Sequence, residues 1–193
     1  MPENRNERLA ADYREMLAIQ GQPYLSWIAS RGEPPYAEEY LMTVKVRTYA
    51  FTMRSGVCTV GAIRRCTVLM TLRPSYPDTA PCIRMLDIPP VFHPNWYSKG
   101  MYCAHEPWRP ERSLKDYVKQ MIGTLCNDPN LIETDYPANY KALDWYLKHR
   151  DDASLFPSDT VELTENSEEQ TAAAERDAAT FDEVADSWRV DQR

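Results

Sequence analysis

Between His93 and Cys103 the chain reads His-Pro-Asn-Trp-Tyr-Ser-Lys-Gly-Met-Tyr-Cys, which places an imidazole, a proline, a carboxamide and a thiol in one short segment. A thiol can carry an acyl group as a thioester when it is exposed, when an acyl donor reaches it, and when a donor group steadies the tetrahedral oxyanion of each transfer. Asn95 can supply that donor through its side-chain amide if the loop folds back onto Cys103. His93 and Pro94 then bracket the turn that holds Asn95. Just past the thiol, His105 and Glu106 are candidate proton acceptors for an incoming amine. Taken as a lone tripeptide, His-Pro-Asn also reads as an ordinary turn, because Pro and Asn favour turns for conformational reasons alone.

The remaining cysteines are Cys58, Cys66, Cys82 and Cys126, and no Cys-x-x-Cys pair or nearby His is spaced to hold zinc. Cys66 lies on an alternating strand pattern, Cys82 at a strand start and Cys126 at a helix end, where thiols are usually buried and inert. Cys58 lies in a loop-like segment without an orienting group near it in sequence.

A period-two pattern over 40–50 sets Tyr40, Met42, Val44 and Val46 against Leu41, Thr43, Lys45 and Arg47, and it recurs at Cys66–Leu72 and more briefly at Cys82–Ile88. A further strand can precede the Arg31-Gly-Glu-Pro-Pro turn. Only turn-like or irregular segments separate these strands, so an antiparallel meander is expected. Leu9, Tyr13, Met16, Leu17 and Gln20 predict an amphipathic helix over 6–20, with Gly21 beyond its end. Leu114, Tyr117, Val118, Met121, Ile122 and Leu125 predict a second helix, with Ser113 and Asp116 in the pattern of a capping box. It should stop at Asn127-Asp-Pro-Asn. A third helix over 138–149 is expected to bury Tyr140, Leu143, Tyr146 and Leu147. Helix, strands, then helices is an α+β order.

Charge divides the chain. Residues 1–150 carry 19 Lys and Arg against 16 Asp and Glu, whereas 151–193 carry 3 against 13, so the net −7 belongs to the end of the chain. We therefore expect a core domain over 1–150 and an acidic, largely disordered tail over 151–193. Phe181, Val184, Ala185 and Trp188 mark a possible short helix near 173–189. No basic cluster points to nucleic acid, no run is apolar and long enough for a membrane span, and the first residues are not expected to act as an apolar leader. A soluble protein of the reducing cytoplasm is expected.

His93-Pro94-Asn95, a Gly-x-x-Cys ending at Cys103, Trp108-Arg-Pro110 and a helix ended by Cys126-Asn-Asp128-Pro129-Asn130, in that order, resemble the core of the ubiquitin-conjugating enzymes, the E2 family. Tyr76-Pro77 with Pro81 resembles that family's proline-marked segment, and the likeness runs over roughly residues 7–150. It implies the UBC-like fold: an N-terminal helix, a four-stranded antiparallel meander, the active-site loop and two helices, here without the usual last helix. It implies that Cys103 takes the C-terminal glycine of a ubiquitin-like protein from an E1-type activating enzyme and passes it to a lysine of a target. Asn95 would steady the loop and the oxyanion, His93 would be structural, and His105 is an additional candidate. No metal or organic cofactor is implied, since ATP is used by the upstream enzyme. A non-catalytic E2-like adaptor and a redox-active thiol are the alternatives.

Departures from the family narrow the placement. Only Ala104-His105-Glu106-Pro107 separates the Cys from the Trp, and Asp78 and Arg109 stand where eukaryotic members commonly have an aromatic and a Ser or Ala on their partner surface. Glu133 and Asp135 are candidates for the acidic residue that family members often carry after Asp-Pro-Asn. These features resemble divergent E2 proteins of bacterial ubiquitin-like conjugation operons, some of them antiphage systems.

Overall fold

Asn4 starts the first helix, its side-chain oxygen accepting from the Asn6 N–H, and α1 runs over Arg5–Leu17. Leu9, Tyr13, Met16 and Leu17 form its buried stripe, as their spacing requires. The helix ends earlier than expected because Ala18, Ile19 and Gln20 donate three residues back rather than four. The computed structural model describes residues 4–54, 56–156 and 163–176.

Strands β1 (Leu25–Arg31), β2 (Glu39–Val44), β3 (Thr48–Arg54), β4 (Val57–Ile63), β5 (Cys66–Thr71) and β6 (Cys82–Met85) follow. Four of them form an antiparallel sheet in the order β1-β2-β5-β6, and β3 and β4 make a separate two-stranded sheet. The register pairs Tyr40 with Met70, Met42 with Val68 and Val44 with Cys66. All six side chains point into the core against α1 and the second helix. The result is the α+β arrangement expected, with an N-terminal helix, a four-stranded antiparallel sheet and later helices.

The hairpin of β3 and β4 was not expected from the sequence. The predicted strand over 40–50 is two strands, because the chain leaves the main sheet after Val44 and begins a new one at Thr48. Val46 stays buried through that corner, so the alternation continues unbroken where the backbone turns. The partner strand is mostly exposed and contains Gly61, which a period-two search passes over. A Cβ at Gly61 would come within 2.7 Å of the Thr52 hydroxyl oxygen, so the bare glycine gives Thr52 its place across the ladder.

The second helix, α2, runs over Leu114–Leu125 with Ser113 as its N-cap. The Ser113 hydroxyl accepts from the Asp116 N–H at 3.3 Å and donates to Glu15 of α1 at 2.5 Å, which fastens the two helices at this end. Asn127 leaves α2 at a φ of +61°, the left-handed residue that closes many helices. The third helix, α3, runs over Tyr140–His149. Its inward face differs from the expected one: Ala142, Leu143 and Tyr146 are buried, whereas Tyr140 is 69% and Leu147 44% exposed. At about 100° per residue Ala142, Tyr146 and Leu143, the last two as expected, share an arc of about 100°, and positions 147 and 140 fall about 40° and 60° beyond its Leu143 edge. The α3 aromatic Trp145 meets Tyr49 of the hairpin, Phe92 and Phe156, while Leu143 and Tyr146 cluster with Ile132 and Phe156.

Within the acidic end of the chain, residues 163–176 lie on the domain, and 168–176 are helical. Asn166 closes the C-terminus of α1: its N–H donates to the Ala18 carbonyl at 2.6 Å, and its side-chain amide donates to the carbonyls of Leu17 and Gln20, both at 2.9 Å. These are the acceptors a helix end leaves without intrahelical partners. Glu165 pairs with Lys115 and Lys119 of α2 at 2.6 and 2.9 Å. Asn166→Ala should therefore destabilise the fold by about 1–3 kcal/mol, read as a lower midpoint in urea. Of the helix expected near 173–189, residues 173–176 are helical, and Phe181, Val184, Ala185 and Trp188 lie outside the described residues.

Candidate active site

The segment after β6 has little regular structure, yet its backbone is closely tied. Met85 N donates to Gly100 O at 2.8 Å and Tyr102 N to Ile83 O at 3.0 Å, so residues 100–102 run along the edge of the main sheet. Tyr97 N donates to Met101 O at 2.9 Å and Gly100 N to Tyr97 O at 2.8 Å, which folds the loop into a tight reversal at Ser98-Lys99-Gly100. Gly100 has a φ of +83°, a backbone region that side chains disfavour, and a Cβ there would stand 3.0 Å from Met85 O. Trp96, fully buried, faces Tyr102 across the reversal at 5.1 Å between ring centroids. The fold-back that Asn95 requires is therefore built.

Asn95 is the hub of the site. Its backbone carbonyl accepts from Cys103 N at 2.8 Å. Its side-chain oxygen accepts from Glu133 N at 3.0 Å, and its side-chain amide donates to Leu131 O at 3.1 Å. It is 0% exposed. One residue thus joins the cysteine loop to the 131–133 loop beyond α2, and one of its two amide hydrogens already has a partner.

His93 braces the same turn from inside. It is 1% exposed, and its Nδ1 accepts from Asn95 N at 3.0 Å. That contact assigns the remaining proton to Nε2 in the neutral ring. Burial pushes its pKa down to about 3, only partly offset by the Thr124 backbone. An unfolded histidine titrates near 6.5. The sign follows: above the unfolded value both states are neutral, and as pH falls from about 6.5 toward about 3 only the unfolded chain takes up the proton. Relative to a His93→Asn variant, the protein should lose about 1.4 kcal/mol of stability per pH unit across that window, measured by denaturant titration at several pH values.

Cys103 is partly exposed. Near it lies Tyr97, whose phenol is pushed up chiefly by its electrostatic interaction with Cys103. The other thiols divide as expected, and Cys58 is exposed but sits on strand β4 rather than in a loop. Burial pushes Cys66 up to about 12 and Cys126 up to about 11, so both are poor nucleophiles, and Cys82 is partly covered. Cys58 is exposed on the hairpin, away from any of these groups.

The short Ala104–Pro107 segment brings His105 to Glu133, with Nδ1 3.1 Å from a carboxylate oxygen. The other carboxylate oxygen accepts from the N–H groups of Asp135 and Tyr136 at 2.9 and 3.0 Å. Those backbone bonds, first that of Tyr136, hold Glu133 below the ordinary carboxylate range. Glu106 instead faces Arg112 at 3.7 Å. Trp108 then docks its ring N–H on Pro77 O at 2.7 Å and packs on Tyr76 and Tyr117. Beneath it, Arg8 of α1 donates to the carbonyls of Pro110 and Arg112, both at 2.6 Å, and pairs with Asp12 at 3.0 Å.

The structure thus brings His93, Asn95 and Cys103 together and sets His105 against Glu133. Tyr97 was missed in the sequence reading, although the Ser-Lys-Gly reversal signals that residues 96–97 must oppose 101–102. Among the described residues, no helix is long and apolar enough to cross a membrane.

No protein-family profile matches the chain. Curated proteins do: it is 33% identical over 92 residues to ubiquitin-conjugating enzyme E2 2 of Yarrowia lipolytica, covering 46% of this chain and 57% of that protein. It is 31% identical over 88 residues to a SUMO-conjugating enzyme of Caenorhabditis elegans, covering 43% and 49%. The chain spans about half the length of the curated relatives it matches. Over that shared stretch it is similar to enzymes named for conjugating ubiquitin and SUMO.

Proposed function

We propose that the chain is an E2-like conjugating enzyme in which Cys103 accepts a ubiquitin-like protein as a thioester from an E1-type enzyme and transfers it to a lysine amine of a target. The observation that carries this reading is the hub at Asn95. A partly exposed thiol is tethered, through Asn95 O, to the residue whose side chain also secures the facing loop. In the first step the Cys103 thiolate attacks the thioester carbonyl of the activating enzyme; one C–S bond forms and another breaks. In the second a lysine amine attacks the Cys103 thioester and the thiolate leaves. The first step exchanges one thioester for another and the second converts a thioester into a more stable amide, so neither needs an energy source at this stage and acceleration comes from positioning and from oxyanion stabilisation.

Asn95 has two parts in this reading. Its bonds to Leu131 and Glu133 hold the loops, and its second amide hydrogen, buried in the free chain, is the donor proposed for the oxyanion. Neutral His93 sets the turn and takes no proton. The chemistry uses only the chain's own groups and the activated acyl donor, with ATP used upstream. A reducing cytoplasm keeps the thiol available.

An open groove lined by Arg5, Pro74, Tyr76, Pro77, Asp78 and Pro110 lies beside the docked Trp108 and is the proposed contact for the activating enzyme. Asp78 and Arg109 alter the partner surface relative to eukaryotic members, which with the short loop supports placement among bacterial conjugation operons, including antiphage ones. Neighbouring genes for an activating enzyme, a ubiquitin-like protein ending in glycine and a JAB-type peptidase are the expected finding.

Incubation with such an activating enzyme, ATP and the ubiquitin-like protein should produce a thiol-labile adduct. Binding of the ubiquitin-like protein without any adduct is the result that favours a non-catalytic adaptor.

A further inference from the structure

We propose that His105 and Glu133 form an imidazole–carboxylate pair in which His105 takes the proton from the attacking lysine and Glu133 positions it; this rests on the reading of Cys103 as the thioester carrier. Lysine amines are protonated near neutral pH, with an ordinary pKa of about 10.4, and an ammonium group cannot attack a carbonyl. A base beside the thioester therefore has a definite task.

The geometry supplies one. His105 stands two residues past the thiol, and its Nδ1 meets Glu133 Oε2 at 3.1 Å. A carboxylate at Nδ1 holds the neutral ring with its proton on that nitrogen, which leaves the lone pair on Nε2 as acceptor. Glu133 is itself fixed: Oε1 accepts from Asp135 N and Tyr136 N, and its own N–H is held by Asn95 Oδ1. Cys103 N is held by Asn95 O. Thiol, imidazole and carboxylate are thus strung from Asn95, although Glu133 is 28 residues from His105.

The neighbouring candidates are otherwise engaged. Glu106 faces Arg112, and a tyrosine phenol, with an ordinary pKa of about 10, is not a base near neutral pH. His105 keeps about two-fifths of its side chain exposed, so an amine can reach it from solvent, whereas Glu133 is mostly covered.

The step balances as follows. The lysine ammonium gives one proton to His105 Nε2. The neutral nitrogen attacks the thioester carbonyl carbon, the C–N bond forms and the C–S bond breaks, with the electron pair leaving on sulfur. The second nitrogen proton passes to the Cys103 thiolate, and the imidazolium releases its proton to solvent. Glu133 exchanges nothing; it is a positioning residue.

A chemical acyl donor tests this without the natural partners. The full chain is charged with a Gly-Gly-terminated peptide thioester of mercaptoethanesulfonate, purified, and discharged in a single turnover onto Nα-acetyl-lysine or onto hydroxylamine. Hydroxylamine is already unprotonated near neutral pH and needs no base to expose its nitrogen. His105→Gln should slow discharge to lysine by about 100-fold while leaving discharge to hydroxylamine within about twofold of the parent. Glu133→Gln, which still accepts from Asp135 and Tyr136 but presents an amide to His105, should show the same split, and Glu133→Asp should recover part of the lysine rate. Unchanged lysine discharge in His105→Gln overturns the proposal, as does an equal loss with both nucleophiles. Failure of the parent chain to take the acyl group at Cys103 overturns the thioester reading itself, and this proposal with it.

Discussion

Asn95→Ala should leave acylation of Cys103 within about threefold of the parent but slow transfer to lysine by about 100-fold, the scale of losing one oxyanion donor. The backbone bond from Cys103 N to Asn95 O survives the substitution, so the thiol stays in place for the first step. The side-chain bonds to Leu131 and Glu133 are lost, and with them the tether of the loop that faces the thiol. Two partly buried groups then lack partners, so stability should fall by about 2–4 kcal/mol, read by denaturant unfolding. Asn95→Asp separates the two parts of the role: it keeps an acceptor for Glu133 N but has no donor for Leu131 O or an oxyanion. It should recover some stability and little lysine transfer. An equal fall in both chemical steps with Asn95→Ala would reduce Asn95 to a folding residue.

The second large effect is at the nucleophile. Cys103→Ala should abolish adduct formation, and Cys103→Ser should give a slowly formed adduct that resists dithiothreitol, since an oxyester does not exchange with thiols as a thioester does. Cys58→Ala should change neither. Cys58 is exposed whereas Cys103, like Cys82 and Cys126, is only partly so, and this pair of variants therefore separates a built site from simple accessibility. Intact-mass measurement before and after thiol treatment distinguishes the two adducts.

Much of this arrangement was legible in the chain because it rests on short-range rules. The buried stripes of α1 and α2 follow helical spacing, and Tyr40, Met42 and Val44 show the alternation that one covered face imposes. Ser113 and the Asn127-Asp-Pro-Asn run mark the ends of α2, whereas the fold-back of Cys103 onto Asn95, only a condition in the sequence, is built by the reversal at Ser98-Lys99-Gly100. What stayed hidden depends on pairing across distance. The alternation through Val46 does not reveal that the chain has changed sheets, because both sides of the corner are buried. The inward face of α3 was misplaced by part of a turn, since its aromatic residues circle the helix and leave the period ambiguous.

The site divides in the same way. His93, Asn95 and Cys103 could be named from type and spacing, but Glu133 emerged as the partner of His105 only from the fold. Its loop has no regular structure to constrain a reading. Composition alone gave residues 163–176 no place either, because three carbonyls at the end of α1 are satisfied by one asparagine about 150 positions away. Polar residues in an acidic stretch carry no mark of such a partner.

The most direct test of the central claim is a map of where an acyl group rests. The unmodified chain, with all five cysteines, is incubated with the Gly-Gly-terminated peptide thioester at neutral pH, quenched in acid, digested and analysed by mass spectrometry. The account predicts one dominant adduct on the peptide containing Cys103, removed by dithiothreitol, with Cys58 acylated far more slowly. Adducts distributed by exposure alone, with Cys58 equal to or ahead of Cys103, would contradict it.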